Sequence, residues 1–239
     1  MTRFLPSLIL TALLLAGWEV ACRALDVPVY LLPPPSAVAV ALIERAPVLL
    51  SSAAATFWMA FQALIVAFIL GGGLALAVSL NRSAERAIRP LAVALQVTPV
   101  IAIAPLVLIW AGLDHADRAV IALAAAVAFF PLFSGVLTGL KSADPDLERL
   151  FDLYAAKPVD RLLRLRLPAS APFVLEGLSV AAGQAVIGAV VAEFAAGAGN
   201  RLQTAKMFAA LAVLGLMGAV LHGLFQLAER WALVRWRGR

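Results

Sequence analysis

Few side chains in this sequence have types that could do chemistry, and most of them are polar groups inside long apolar runs. Glu193 lies near the end of one such run, and Gln184 precedes it by about two and a half helical turns. Gln96 and Thr98 stand just before Pro99, whose missing N–H frees a backbone carbonyl that could line a cavity. Because polar groups inside an apolar run are costly, these residues are candidates for contacts with a polar solute.

Aromatic side chains in the same runs could stack on a flat solute. They are Trp110, Phe129 and Phe130, for which simple packing or anchoring at an interface is the alternative. Glu193 also has an alternative role, a structural hydrogen bond to glycine-rich backbone. Further polar residues near the ends of the runs are interpreted as snorkelling groups or contacts between helices: Glu19, Glu176, His222 and Glu229.

No set of residues resembles a metal site or a catalytic triad. His115 and His222 are the only histidines and lie far apart, and Cys22 is the only cysteine. No G-x-x-x-x-G-K-[ST] motif is present, so the chain has no phosphate-binding loop of the usual kind for ATP. The sequence therefore predicts that the chain is not an enzyme and holds neither a cofactor nor a metal.

The elements that must position these residues follow from the composition. Hydrophobic residues make up 63% of the 239 residues and charged residues 14%, and the mean hydropathy is +0.97. Soluble domains are about 45–50% apolar and about 25% charged, so a soluble fold could not bury this much apolar surface. The apolar runs are continuous rather than alternating, which favours helices over barrel strands. We predict an all-α, polytopic membrane protein, with Gly135 and Gly139 allowing close helix packing inside the bundle.

Six apolar runs are long enough to cross a bilayer, since a spanning helix needs about 20 residues. They cover residues 4–23, 52–80, 88–113, 119–140, 173–196 and 205–228. The first is interpreted as a retained helix, because no small-residue cleavage site precedes a soluble domain. Between the first two runs, the prolines at 33–35 cannot lie inside a helix, and Ser36 is predicted to cap a short amphipathic helix over 37–45.

The distribution of Lys and Arg predicts the orientation of the chain. With the N-terminus inside, the inner segments hold 14 of the 19 basic residues and the outer segments hold five. This excess places both termini and residues 141–168 on the cytoplasmic side. The same distribution accounts for the net charge of +5, which is therefore no signal for nucleic-acid binding.

Residues 141–168 form a charged insert that holds 11 of the 33 charged residues. Pro158 suits the first turn of a helix, and basic and apolar residues follow it at helical spacing. Leu167-Pro168 is expected to end that helix, because the residue before a proline is pushed out of the helical region. The predicted short basic helix over 158–167 has two open interpretations: it lies in the lipid headgroups, or it docks a cytoplasmic protein.

Residues 154–168, YAAKPVDRLLRLRLP, resemble the EAA loop of bacterial ABC importer permeases. The run that follows is similar to that family in its Ala171-Pro172, its Gly177-Leu178 and the segment around Glu193. The segment at 32–38 resembles the proline-rich segment of the nitrate, sulfonate and taurine-type permeases. Residues 98–106 together with Trp110 resemble their third-span signature.

The chain departs from the family pattern in the loop. Arg149-Leu150-Phe151 replaces the usual Glu-Ala-Ala, and Glu148 lies one position early. Ala155 replaces the usual loop glycine. Both departures fall where the resemblance implies contact with a partner.

The resemblance implies a type I ABC importer permease fold with a cytoplasmic coupling helix, in the bacterial inner membrane. Residues 1–50 then form the first transmembrane helix and an external amphipathic segment, and residues 51–239 form the permease core. The implied partners are a dimer of cytoplasmic ABC ATPases that bind ATP, a second copy of the chain, and an extracytoplasmic solute-binding protein. The residues implied in coupling to the ATPase are Ala155, Lys157, Pro158, Asp160, Arg161, Arg164, Leu167 and Pro168.

The implied function is passage of a small solute. The pathway residues are Gln96, Thr98, Pro99, Trp110, Phe130, Gln184 and Glu193. Residues 96–108 and 190–197 look most like the heteroaromatic branch of the family. The resemblance therefore favours a heteroaromatic nutrient such as hydroxymethylpyrimidine, another thiamine precursor or riboflavin, with sulfonates, taurine or nitrate next. No arginine lies deep in a span at a candidate anion site, which argues mildly against an anion. An ion-driven secondary carrier and a non-transporting membrane subunit are the alternatives, although the sequence shows no internal repeat typical of carriers.

Overall fold

The computed structural model describes residues 5–195 and scattered positions between 208 and 227, and every regular element within 5–195 is helical. The helices are α1 (Leu5–Ala24), α2 (Pro35–Glu44), α3 (Ala46–Ser79), α4 (Arg82–Val97), α5 (Val100–Ala111), α6 (Ala116–Gly139), α7 (Pro145–Leu153) and α8 (Pro158–Glu193). Short π-helical segments, Phe68–Gly72 and Leu162–Arg166, interrupt α3 and α8. The prediction of an all-α fold is confirmed for these residues.

Within residues 5–195, three helices are long and apolar enough to cross a membrane, namely α3, α6 and α8, and the bent pair of α4 and α5 would add a fourth. They coincide with the second to fifth predicted runs, and the 20-residue helix α1 coincides with the first. Most of the sixth run, 205–228, and the glycine-rich turn at 197–199 fall outside the described residues. The count of six spans stays a prediction.

The third apolar run is not one straight helix as predicted. Helices α4 and α5 meet at an angle of 96°. Between them Thr98 and Pro99 have extended backbone, with ψ of 124° and 103°. Pro99 lacks an N–H and disfavours the helical region for the residue before it, so the helix has to stop at this point.

The fifth run is part of a helix that begins much earlier than predicted. The expectation that Leu167-Pro168 ends a separate short helix is wrong, because α8 continues through Pro168 for 36 residues in all. The π-helical segment Leu162–Arg166 changes the hydrogen-bond register just before the proline. Pro168 then falls at the start of a new α-helical stretch, where its missing N–H is tolerated.

The first compact unit of the chain includes residues up to Ala55, and in it α1 and α2 are joined by Glu19. The Glu19 carboxylate accepts hydrogen bonds from the Ser36 N–H and hydroxyl at 2.9 and 2.8 Å. Ser36 is therefore not the N-cap of α2 as predicted; Pro34 holds that position and makes no side-chain cap. Glu19 instead places an anion at the helix N-terminus, which confirms its interpretation as a contact between helices.

The second compact unit includes residues 56–198, and its core is built by α3, α6 and α8. Helices α6 and α8 approach so closely that a Cβ on Gly135 would lie 2.8 Å from the Phe173 carbonyl oxygen, and one on Gly139 would lie 2.8 Å from Ser170 Cβ. Gly177 on α8 meets the Pro131 carbonyl oxygen in the same way, at 2.9 Å. Packing of the two glycines inside the bundle is confirmed.

Candidate functional site

A cavity of about 330 Å³ opens between α4, α6 and α8. Its polar and aromatic lining residues are Gln96 from α4, Phe130, Ser134 and Thr138 from α6, and Phe173, Glu176 and Gln184 from α8. Pockets for small organic molecules have volumes of about 300–1,000 Å³, so the space suits a single-ring solute. Neutral hydrogen-bonding groups and aromatic rings surround one carboxylate.

Backbone features of the three helices place these side chains. The bend at Pro99 ends α4 just after Gln96, so that the amide lies at the helix terminus. On α6 and α8, the close contact of Gly135 with Gly177 brings the two helix backbones together beside the cavity. Glycines are required there because a side chain on either helix would push the two walls apart.

The structure brings together three of the seven predicted pathway residues, Gln96, Phe130 and Gln184. Sequence reasoning missed Ser134 and Thr138, although they follow Phe130 at intervals of four residues and so share one helical face. It also missed Glu176, which was interpreted as a snorkelling group or a contact between helices.

The other predicted pathway residues lie away from this cavity. Trp110 is 73% exposed on α5. Thr98 donates its hydroxyl to the Ala94 carbonyl at 2.7 Å and, with Pro99, forms the bend. Phe129, which was also considered, stacks on the buried Phe133 with ring centroids 5.9 Å apart, so its alternative role in packing is supported.

Glu193 joins α8 to α3 instead of lining the cavity. Its two carboxylate oxygens accept hydrogen bonds from the buried Thr56 hydroxyl, each at 3.0 Å. The alternative bond to the glycine-rich backbone at 197–199 lies outside the described residues. Glu193 thus ties the far end of α8 to α3.

At the opposite end of α8, ion pairs attach α7 to the helix. Glu148 accepts a hydrogen bond from Arg166 Nε at 2.6 Å and lies 3.4 Å from an Arg161 guanidinium nitrogen. Arg161 also pairs with Asp152. Arg161, predicted to contact a partner, is therefore largely engaged within the chain. Glu148, one position early in the loop, therefore holds α7 to α8 together with Asp152.

Helix α7 carries an apolar surface that sequence reasoning did not identify. Leu147, Leu150, Leu153 and Tyr154 are all exposed, the last two by 83% and 79%. Leu147, Leu150 and Tyr154 recur at intervals of three and four residues, so they share one helical face. Lys157, just before α8, and Arg164, in its first turns, are exposed cations, and Arg164 lies 3.6 Å from Asp160. An apolar face bordered by charges is typical of a surface that binds another protein.

Comparisons with known proteins agree on one family. The family described as "Binding-protein-dependent transport system inner membrane component" matches residues 67–228. The formylaminopyrimidine transport permease protein ThiX of Halalkalibacterium halodurans is 34% identical over 76% of this chain and 72% of its own. The provisionally named aliphatic sulfonates transport permease protein SsuC of Bacillus subtilis is 27% identical over 98% of this chain and 88% of its own.

A solved structure shares the fold. One chain in a crystal structure of an amino acid ABC transporter with histidines superposes with a TM-score of 0.64, covering 80% of this chain and 97% of that one. The sequence identity is 14%, so the likeness concerns the fold alone.

Proposed function

Because this chain belongs to the family of binding-protein-dependent transport system inner membrane components, we propose that its cavity is the path of a small solute through an ABC importer. The observation that carries the proposal is that the same two helices, α6 and α8, connect the polar cavity with the exposed surface of α7. Helices α6 and α8 line the polar cavity, and the segment between them forms α7 with its exposed apolar face.

The α7 face is the proposed docking surface for a cytoplasmic ABC ATPase. Its leucines lie on a short helix held to α8 by Glu148, so a force on α7 is transmitted to a helix that lines the cavity. Lys157 and Arg164 add positive charge beside the apolar face. The ATPase supplies ATP binding and hydrolysis, which fits the lack of a phosphate-binding loop in this sequence.

The proposed solute is a heteroaromatic nutrient, and the cavity volume of about 330 Å³ favours one with a single ring. Phe130 offers a ring for stacking, and the amides of Gln96 and Gln184 offer both donors and acceptors for ring nitrogens and exocyclic groups. The name of the Halalkalibacterium relative refers to formylaminopyrimidine, a solute of this chemistry. Sulfonates, taurine and nitrate come next, since the name of the Bacillus relative refers to aliphatic sulfonates.

The proposed assembly contains two copies of this chain and an extracytoplasmic binding protein in the bacterial inner membrane, with both termini in the cytoplasm. The cavity is open at the surface of the single chain, and Val180 at its edge is 45% exposed. A polar cavity open to lipid is costly, so a second copy that closes it is favoured.

Uptake into proteoliposomes tests this function. The vesicles contain the chain with its cognate ATPase and binding protein, and the probe is radiolabelled hydroxymethylpyrimidine. We expect uptake when ATP is present on the side of the membrane that carries the ATPase. A non-hydrolysable ATP analogue on that side should give no uptake. Uptake driven by an ion gradient in vesicles that contain the chain alone would contradict the proposal and support a secondary carrier.

A further inference from the structure

Glu176 is the only ionisable side chain among the described residues that line the cavity. The described part of the chain gives its carboxylate neither an ion pair nor a hydrogen bond. Glu193, on the same helix, is by contrast held by Thr56 through both oxygens. The carboxylate of Glu176 is therefore available to a solute.

The position of Glu176 within an apolar run makes a purely structural role costly. It lies ten residues beyond Arg166 on α8, which corresponds to about 15 Å along the helix axis. It also lies within the fifth apolar run, three residues after that run begins at 173. An ionisable group in such a run is tolerated where it faces water or a polar partner, and the cavity supplies that environment.

The rest of the cavity wall leaves the negative charge of Glu176 uncompensated. No Lys or Arg is among the described lining residues, which are otherwise neutral. Lys141, which follows the last residue of α6 by two positions, pairs with Glu85. The contact of Gly135 with Gly177 brings the backbones of Ser134 and Glu176 close to each other, and both residues line the same cavity.

We infer that Glu176 makes this cavity select cationic or amine-bearing heteroaromatic solutes and reject anions. A carboxylate accepts hydrogen bonds from an exocyclic amine or a protonated ring nitrogen, and both are strengthened by its charge. Sulfonates and nitrate would meet a like charge with no cation to offset it. The inference rests on the proposed function, because it assigns the solute class of the same path.

The charge at the cavity can be measured without knowing the solute. Ser134→Cys in a Cys22→Ala background provides a single thiol in the cavity of the full chain in lipid nanodiscs. Two reagents modify this thiol: a cationic trimethylammonium-ethyl methanethiosulfonate and an anionic sulfonatoethyl methanethiosulfonate. The rate of each reagent with the thiol of the Ser134→Cys variant is divided by its rate with a free thiol in solution. We expect the cationic reagent to react faster, and Glu176→Gln to lower the ratio of the two rates about tenfold, within the range by which charged clefts concentrate counter-ions.

Two further variants separate charge in the cavity from other effects. Glu176→Asp keeps the charge and should hold the ratio within about twofold. Glu193→Gln makes the same change on the same helix but outside the cavity lining, and should leave the ratio unchanged.

A ratio that Glu176→Gln does not change would overturn the inference. If the Glu176→Gln variant does not give monodisperse protein, the two normalised rates of the Ser134→Cys variant are sufficient as a test. Equal rates, or a faster reaction of the anionic reagent, would contradict a negatively charged cavity. The assay uses neither ATP nor a partner protein. If the thiol reacts faster with the cationic reagent but the proteoliposomes show no uptake, the result counts against the proposed function and not against the role of Glu176.

Discussion

Ala155 shows how a single residue can depart from a family pattern while the backbone keeps the turn. Its φ of 47° lies in the left-handed region, which costs an L-residue with a side chain about 1–2 kcal/mol. It lies in the turn between α7 and α8, where the resembled family usually has glycine. The hydrogen bonds from the Ala155 and Ala156 N–H groups to carbonyls of α7 hold this strained turn in place.

Replacement of Ala155 by glycine should stabilise the protein. Relief of the left-handed strain exceeds the extra entropy of glycine in the unfolded chain, for a net gain of about 0.5–1 kcal/mol. Scanning fluorimetry in detergent should show a melting temperature higher by about 1–4 °C. Ala156→Gly is the matched control and should lower it, because Ala156 does not have a positive φ. Equal shifts in both variants would contradict the role of backbone strain.

At the scale of elements, glycines decide how closely the cavity walls approach each other. Gly177 and Gly183 lie on the same helix, but only the first is in contact with α6. A Cβ at Gly177 would lie 2.9 Å from the Pro131 carbonyl oxygen, whereas one at Gly183 meets nothing within 4 Å among the described residues.

Alanine substitutions at these two positions should have opposite effects. Gly177→Ala forces the helices apart and should destabilise the protein by about 1–3 kcal/mol. Gly183→Ala should be neutral or stabilising by up to about 1 kcal/mol, since alanine is the better helix former. Melting temperatures of the two variants, purified side by side, check this. A loss of stability in both would show that packing at the Gly135–Gly177 contact is not what requires glycine.

Helix α7 is the second element whose role can be tested directly. Leu153→Glu should abolish copurification with the coexpressed cognate ATPase, because a charge then replaces the most exposed leucine of the apolar surface of α7. Leu25→Glu is the matched control, an exposed leucine after α1 on the predicted external side, and should copurify normally. Loss of the ATPase in both variants, or in neither, would contradict docking at α7.

At the scale of the whole molecule, the open cavity is the feature that the proposed second copy of the chain would close. Polar groups of α4, α6 and α8 lie at the surface of the single chain, where the membrane would otherwise meet them. A second copy related by a two-fold axis would place the same residues on both sides of one path.

Cross-linking can test this arrangement. In a Cys22→Ala background, Val180→Cys at the edge of the cavity should form a covalent dimer with a short bismaleimide in native membranes. Ile69→Cys, an exposed position on α3, should stay monomeric under the same conditions. Dimers from Ile69→Cys but not from Val180→Cys would place the interface between copies elsewhere.

The all-helical fold and the family could be predicted from the sequence, because the length of apolar runs and short motifs depend only on residues close to each other in the chain. Apolar length indicates spanning helices, and the order of short motifs between residues 30 and 199 indicates the family before any contact is known. Their polar or aromatic type within apolar runs singled out Gln96, Phe130 and Gln184, which line one cavity in the structure. The charged insert was correctly singled out, but its two helices were not distinguished.

The remaining features depend on which residues lie opposite each other in space, and only the tertiary structure decided them. Pro99 bends one predicted span into two helices, whereas Pro168 leaves α8 continuous, because a π-helical segment precedes it. Glu193 and Glu176 are both acids of α8, yet the first meets the Thr56 hydroxyl and the second meets the cavity. A sequence records that a carboxylate lies within a span; the helices packed around it determine whether it binds a neighbour or faces a solute.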